Sequence, residues 1–201
     1  TAIGFYSLKN NTTGSKNSGS GYMSLYSNTT GEQNTASGYQ TLYSNTTGSR
    51  NTASGFQALF QNTTGIRNTA TGYGALTSNT TGNYNSATSS QSLGLNISGD
   101  YNAASGWAAL YNNTTADNNT AMGSEALGKT TTGGNNTALG FRAGYSNVTG
   151  TGNVFIGYKA GYNETGSNKL YIGNSASANL ITGDFSSGAL SLGQTSGTVS
   201  V

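Results

Sequence analysis

The chain has 201 residues, a formal net charge of +2, no Cys, no His and no Pro, and only 7% of its residues are charged. Its 8 basic residues form no cluster, which argues against nucleic-acid binding. The lack of Cys excludes disulfides and thiolate metal sites, and no apolar stretch approaches the ~20 residues of a membrane helix, so we expect no membrane insertion.

A repeat of 17 residues runs through the chain. Residues 34–50, NTASGYQTLYSNTTGSR, return as NTASGFQALFQNTTGIR at 51–67 and as NTATGYGALTSNTTGNY at 68–84. Counted from Asn34, position one is Asn, position three is small, positions five and fifteen are Gly, and position nine is mostly Leu. Such a repeat predicts a stack of similar small units. The apolar residues keep fixed positions in the repeat, which indicates a folded and not a disordered chain. Thr1 holds position two, so we expect the chain to be part of a longer protein.

The two glycines of each unit predict two turns, at which the backbone needs positive φ or close approach. The segments T-A-x and Y-Q-A-L-Y between them are too short for helices and suit a pleated surface. The unit is therefore predicted to be strand, turn, strand, turn, one coil of an all-β parallel solenoid or β-roll. About ten coils fill 1–168, and the period dissolves in 169–201, which we interpret as a C-terminal capping or transition segment.

Aromatic residues recur at two positions of the repeat and predict two stacked ladders. Position six holds Phe5, Tyr22, Tyr39, Phe56, Tyr73, Trp107, Phe141 and Tyr158, and position ten holds Tyr26, Tyr43, Phe60, Tyr111, Tyr145 and Tyr162. A thin coil cannot bury so many rings, which favours a subunit interface for at least one ladder, with carbohydrate binding as the alternative. Two units interrupt the ladders, with Ser90 and Gly94 in one and Ser124 and Gly128 in the other.

Nine asparagines begin N-x-[ST] sequons and are candidate glycosylation sites: Asn11, Asn28, Asn45, Asn62, Asn79, Asn96, Asn113, Asn147 and Asn163. The preferred interpretation is turn chemistry, in which Asn and Thr side chains bond the nearby backbone and stacked amides form a ladder.

No catalytic constellation is visible, and we expect no enzymatic activity, no cofactor and no metal site. Asp100 and Asp117 share a phase, as do Arg50 and Arg67, but both pairs are expected to be exposed turn residues. Ice binding is a minor alternative, because rows of threonines on a flat solenoid can order water. It is not preferred, because threonines such as Thr46 and Thr47 are adjacent and would point to opposite faces of a strand.

The units NTALG (136–140) and NVFIG (153–157), each followed shortly by Ala-Gly, resemble head repeats of trimeric autotransporter adhesins. The NTAxGYQALYSNTTG form is also similar to repeats of tail-fibre-like proteins of bacteriophages and bacteria. In those proteins a segment similar to residues 168–193 commonly precedes an endosialidase-type, self-cleaving intramolecular chaperone. The resemblance implies a left-handed parallel β-roll, a parallel homotrimer and a role in surface attachment.

We therefore expect a structural fibre segment, extracellular or on a cell surface or virion, that displays weak binding sites with avidity. A cell-surface or glycan receptor is the expected partner. The alternative is a purely architectural filament subunit that stacks end to end through its exposed strand edges.

Overall fold

The structure is a computed structural model, and it describes residues 1–193. Within that range the chain forms one sheet of 13 strands in chain order, with no helix. The strands are β1 (Ala2–Ile3), β2 (Ser18–Ser20), β3 (Thr35–Ser37), β4 (Thr52–Ser54), β5 (Thr69–Thr71), β6 (Ser86–Ala87), β7 (Ala103–Ser105), β8 (Thr120–Met122), β9 (Thr137–Leu139), β10 (Val154–Ile156), β11 (Lys169–Gly173), β12 (Asn179–Asp184) and β13 (Ala189–Leu192).

Strands β1 to β11 pair in parallel, each with the same position of the next coil. Ala36 lies beside Ala53, and Ala53 lies beside Ala70, a register of one 17-residue repeat. The predicted all-β parallel solenoid with 17-residue coils is confirmed. We number the coils by their ranges: first 1–16, second 17–33, third 34–50, fourth 51–67, fifth 68–84, sixth 85–101, seventh 102–118, eighth 119–135, ninth 136–152 and tenth 153–168.

Each coil contains one strand, so the predicted second strand at Y-Q-A-L-Y is wrong. In the fourth coil Gln57 and Leu59 have φ of 52° and 51°, and the same two positions are left-handed in the other coils. Alternate left-handed residues turn the chain and cannot continue a pleated strand. The coils still bond each other there, since the Leu59 N–H donates to the carbonyl of Ala75 at 3.0 Å.

The core is a narrow column of Ala and Leu side chains flanked by buried Asn. Position three points inward between two exposed strand neighbours, as Ala53 does in β4. Leu59 at position nine is fully buried, although each left-handed non-Gly residue costs roughly 1–2 kcal/mol. Burying the Leu side chain, worth roughly 1.5–3 kcal/mol, offsets that cost.

The core of the tenth coil is filled by a different combination of side chains. Phe155 stands at position three in place of Ala and is fully buried, while Gly144 and Gly161 replace Leu at position nine of the ninth and tenth coils. A Cβ added to either glycine would clash with the Phe155 ring. One large side chain on the strand therefore takes the place of two leucines on the opposite wall.

The glycines at positions five and fifteen of the repeat are required for different reasons. Gly55 at position five has φ of +129°, and a Cβ there would lie 2.6 Å from the carbonyl oxygen of Gly72. Gly82 at position fifteen has no positive φ, but a Cβ would lie 2.6 Å from the oxygen of Gly99. The prediction of positive φ or close approach is confirmed, with both at position five and only the close approach at position fifteen.

The C-terminal part of the described chain leaves the coil pattern. β11 still pairs in parallel with β10, and β12 and β13 then add as antiparallel strands. Lys169 Nζ donates to Asp184 Oδ2 at 2.7 Å, and the Tyr171 hydroxyl donates to Glu164 Oε2 at 2.6 Å. Residues 194–201 of the predicted capping segment lie outside the described residues.

Candidate functional site

The sequon asparagines form a buried amide ladder. The Asn62 Nδ2 donates to Asn45 Oδ1 at 2.8 Å and to its own coil's Gly65 carbonyl at 3.1 Å, and the Asn62 Oδ1 accepts from Asn79 Nδ2 at 2.8 Å. Seven of the nine candidates are buried, and these are Asn28, Asn45, Asn62, Asn79, Asn96, Asn113 and Asn147.

This burial argues against glycosylation of the seven buried asparagines. A glycan is attached through Nδ2, and in the folded coil that atom is enclosed and donates to neighbouring oxygens. The preferred interpretation, a ladder of stacked amides, describes the seven buried residues. Only Asn11, which is half-buried, and Asn163, which is exposed, keep accessible side chains.

The amide ladder stops where the repeat changes. Thr130 replaces Asn in the eighth coil and donates to the Asn147 carbonyl at 2.6 Å, so the buried Oδ1 of Asn113 has no partner. The Oδ1 of Asn147 is also unpartnered in the described chain, because the tenth coil is one residue short and presents no Asn at this position. Each break leaves a buried acceptor unsatisfied, which costs roughly 1–3 kcal/mol.

A second amide ladder runs along position one. The N–H of Asn51 donates to the Oδ1 of Asn34 in the preceding coil at 3.0 Å, and the Asn51 Nδ2 donates to the Gly65 carbonyl of its own coil at 2.8 Å. The Gly65 carbonyl oxygen thus accepts from Asn51 and from Asn62, which links the two ladders within the fourth coil. These contacts account for the presence of Asn at position one in the second to tenth coils.

The predicted aromatic ladders are present. At position six Tyr39 stacks on Phe56 with centroids 5.1 Å apart and planes 4° apart, and at position ten Tyr26 stacks on Tyr43 at 5.1 Å and 5°. The position-six rings are exposed and the position-ten rings are half-buried. The exposed set is Phe5, Tyr22, Tyr39, Phe56, Tyr73, Trp107, Phe141 and Tyr158, and the half-buried set is Tyr26, Tyr43, Phe60, Tyr111, Tyr145 and Tyr162.

The ladders are interrupted together at the sixth and eighth coils. Ser90 and Gly94, and then Ser124 and Gly128, stand where rings would be, so Trp107 and Tyr111 of the seventh coil have no ring stacked on them within residues 1–193. A cleft of about 280 Å³ opens beside them, lined on its far side by Tyr145 of the ninth coil.

Positions sixteen and seventeen form a further edge. Asp117 Oδ1 accepts from the N–H of Asp100 at 2.7 Å, so the two carboxylates cap backbone groups one coil apart. Arg67 donates to the Tyr84 hydroxyl at 2.8 Å, and Tyr84 stacks on Tyr101 at 4.8 Å. Sequence reasoning missed this short third aromatic ladder because it occupies only two coils. Arg50 is exposed beside it.

The outer face of the sheet carries a second set of hydroxyl residues, apart from the adjacent threonines of the N-T-T segments. Positions two and four of each strand point outward, so Thr52 and Ser54 are exposed on either side of buried Ala53. Threonine and serine therefore do occupy alternate strand positions. Towards the C-terminal end the same face becomes apolar, with Met122 and Leu139 51% and 47% exposed.

Within residues 1–193 no helix is long and apolar enough to span a membrane, and no three metal-ligating side chains cluster. The fold and its surface define a parallel β-solenoid repeat protein. Comparisons of the chain with protein-family models, with curated proteins and with solved structures found no match.

Proposed function

We propose that this chain is a rigid segment of an extracellular or virion fibre that attaches to surfaces through repeated weak contacts. The observation that supports this best is the exposed position-six ladder, with rings such as Tyr39 and Phe56 more than 40% exposed on a continuous stack of coils. Exposed apolar surface of this extent marks interaction sites. A rod built only from neighbouring-coil contacts also holds its display at fixed spacing.

We further propose that the fibre is a homotrimer. The exposed rings of the position-six ladder and the apolar end of the outer sheet face at Met122 and Leu139 are two surfaces that a partner subunit could cover. In the second to fifth coils the position-six rings are each followed by an uncharged residue, namely Met23, Gln40, Gln57 and Gly74, as expected for the buried part of a subunit interface. Native mass spectrometry should give three times the 20.4 kDa chain mass.

The triple variant Tyr39→Ser, Phe56→Ser, Tyr73→Ser separates attachment from architecture. If attachment is the function, the variant loses adsorption to cells or glycan surfaces while native mass spectrometry still gives the assembled mass. Loss of assembly identifies an architectural interface instead. The matched control is Thr47→Ser, Thr64→Ser, Thr81→Ser, which changes three exposed residues in the same three coils and should alter neither property.

A second candidate function, ice binding, is supported by the outer sheet face. Thr35, Thr52 and Thr69 form one exposed row and Ser37, Ser54 and Thr71 a parallel one. Neighbouring strands lie ~4.8 Å apart and alternate residues roughly 6.7 Å apart, so the hydroxyls form a regular two-dimensional lattice that could order water. Thermal hysteresis that disappears in Thr52→Leu but persists in Thr64→Leu would establish it, and no hysteresis at all excludes it.

A further inference from the structure

The eighth coil lacks an aromatic ring in both ladders at once. Ser124 leaves a gap between Trp107 and Phe141, and Gly128 leaves a gap between Tyr111 and Tyr145. Where the ladders are complete, each ring is covered on both faces by neighbours about 5 Å away, such as Tyr22 and Phe56 around Tyr39, so nothing can enter. In the eighth coil no ring covers Trp107 or Tyr111, while the Arg142 guanidinium lies 5.1 Å from the centroid of the Phe141 ring and 5.3 Å from that of the Tyr145 ring.

The gap has the size of one ring. Rings two coils apart are roughly 10 Å apart at the solenoid spacing, which leaves room for a single flat group between them. Tyr145 leans over the glycine, since a Cβ at Gly128 would lie 3.1 Å from its Cε2. Tyr111 leans in the same direction over Gly94, because a Cβ at Gly94 would lie 2.8 Å from the Tyr111 Cε2. The opposite face of the Tyr111 ring is therefore turned to the gap.

Polar groups border these aromatic faces. The cleft is lined by Gln91, Asn112 and Glu125 as well as by Trp107, Tyr111 and Tyr145. Arg142 Nε donates to Glu125 Oε2 at 2.6 Å, and Asn112 Nδ2 donates to the Gly128 carbonyl at 2.6 Å, so the carboxylate and this amide are fixed before any ligand arrives.

We propose that this cleft binds one pyranose ring of a glycan, a ligand class that deepens the attachment function proposed above and rests on it. The C–H face of a pyranose stacks on aromatic rings such as Trp107, while its hydroxyls donate to a carboxylate and exchange hydrogen bonds with amides. The volume of about 280 Å³ is slightly below the range of drug-sized ligand sites, which begins at about 300 Å³, and suits one sugar residue at the end of a chain.

The charge of the cleft distinguishes a sugar from a quaternary ammonium ion, which also binds among aromatic rings. Glu125 is already paired with Arg142, and Lys129 lies 5.1 Å above the Tyr145 ring. The site therefore has no unpaired negative charge to attract a cation. A single pyranose in an open cleft binds weakly, and repetition of the site in an assembled fibre raises the overall affinity.

The test uses Trp107, the only tryptophan of the chain, as its reporter. The intact protein is titrated with methyl glycosides of glucose, galactose, mannose and N-acetylglucosamine, with N-acetylneuraminic acid and with choline. We expect saturable change of Trp107 fluorescence with at least one sugar and none with choline. No response to any sugar overturns the proposal, and a response to choline alone replaces the sugar with an ammonium ligand.

The decisive variant is Gly128→Tyr, which supplies the missing ring and makes the eighth coil more regular. Sugar binding should weaken at least tenfold. Thr77→Tyr adds a ring at the same position of the fifth coil, away from the cleft, and should leave binding unchanged. Equal binding by Gly128→Tyr and the unmodified protein refutes the site.

The failure of this site and the failure of the fibre function give different results. Loss of sugar binding in Gly128→Tyr with unchanged surface adsorption would mean that the fibre attaches elsewhere and would overturn the cleft as its receptor site. Sugar binding by a protein that is monomeric and does not adsorb to surfaces would uphold the cleft and overturn the fibre.

Discussion

The buried amide ladder can be tested by the substitution Asn62→Ala in the middle of the solenoid. It removes the two hydrogen bonds that Asn62 donates, to Asn45 and Gly65, and the one that it accepts from Asn79. Gly65 keeps its second donor, the Asn51 amide at 2.8 Å. The Oδ1 of Asn45 and one N–H of Asn79 are left unpaired in a buried site.

The expected loss follows from these contacts. Three lost hydrogen bonds at roughly 1 kcal/mol each give about 3 kcal/mol, and the two groups left unpaired in a buried site, at roughly 1 kcal/mol or more each, bring the expected loss to about 5 kcal/mol. The control is Thr64→Ala, whose exposed side chain makes no hydrogen bond within the described chain, and whose effect should stay within about 0.5 kcal/mol. Thr64 also completes the sequon of Asn62, so the control removes that sequon and leaves the ladder intact.

The assay is guanidinium chloride unfolding followed by circular dichroism and by Trp107 fluorescence. Trp107 lies three coils beyond Asn62, so a shift in both signals means that the coils unfold together, whereas a shift in circular dichroism alone means local unfolding. If Asn62→Ala loses no more stability than Thr64→Ala, the ladder is energetically neutral and the reasoning is wrong. A glycan mass lost in Thr64→Ala would equally contradict the buried amide.

Three further predictions concern the backbone, the core and the C-terminal strands. Gly55→Ala should lower the free energy of unfolding in denaturant by at least 3 kcal/mol, because φ of +129° and the 2.6 Å approach to the Gly72 carbonyl oxygen both exclude a Cβ. Gly74→Ala, with φ of +61° and open space around the Cβ, should lower it by only about 1 kcal/mol. Equal losses for the two variants would refute this. Phe155→Ala should cost about 3–5 kcal/mol, and adding Gly161→Leu should restore part of that loss, so a double-mutant cycle that shows simple additivity would contradict the volume exchange. The hydrogen bond to the Glu164 carboxylate, and then burial, raise the pKa of Tyr171 from 10.0 to about 12. The neutral phenol therefore stabilises the fold fully below about pH 10 and loses this effect as the pH rises to about 12, so hydrogen exchange in β11 and β12 should accelerate over that interval, and Tyr171→Phe should abolish the acceleration.

The same C-terminal contact responds at acidic pH. Burial acts to raise the pKa of Glu164, but the hydrogen bonds from Tyr171 and from the N–H groups of Gly166 and Thr165 outweigh it and lower the pKa below its usual value. Because the pKa of Glu164 is lower in the folded than in the unfolded chain, the carboxylate stabilises the fold when the pH is above the pKa of the unfolded chain, roughly 4.3. This contribution is lost as the pH falls below that value and through the lower pKa of the folded chain. Acid should therefore loosen β11 and its neighbours, and Glu164→Gln should remove this part of the pH dependence.

The sequence by itself determined the coil. A 17-residue period with Gly, Ala and Leu at fixed phases is a local signal repeated in every unit, and stacking the units in register gives each of them the same neighbours. The stacking of Tyr39 on Phe56 followed from the same argument, because the same position in successive coils must be adjacent. The interrupted ladders were visible in the sequence as Ser124 and Gly128.

Only the tertiary structure decided what each position faces. Leu59 is left-handed because closing the coil and burying its side chain outweigh its intrinsic preference, so a segment with strand-like composition became a turn. Asn62 belongs to a sequon and to a buried ladder, and the two cannot be told apart until the neighbouring amides are in place. The cleft beside Trp107 likewise exists only once the rings on either side of the eighth coil are positioned by their own coils.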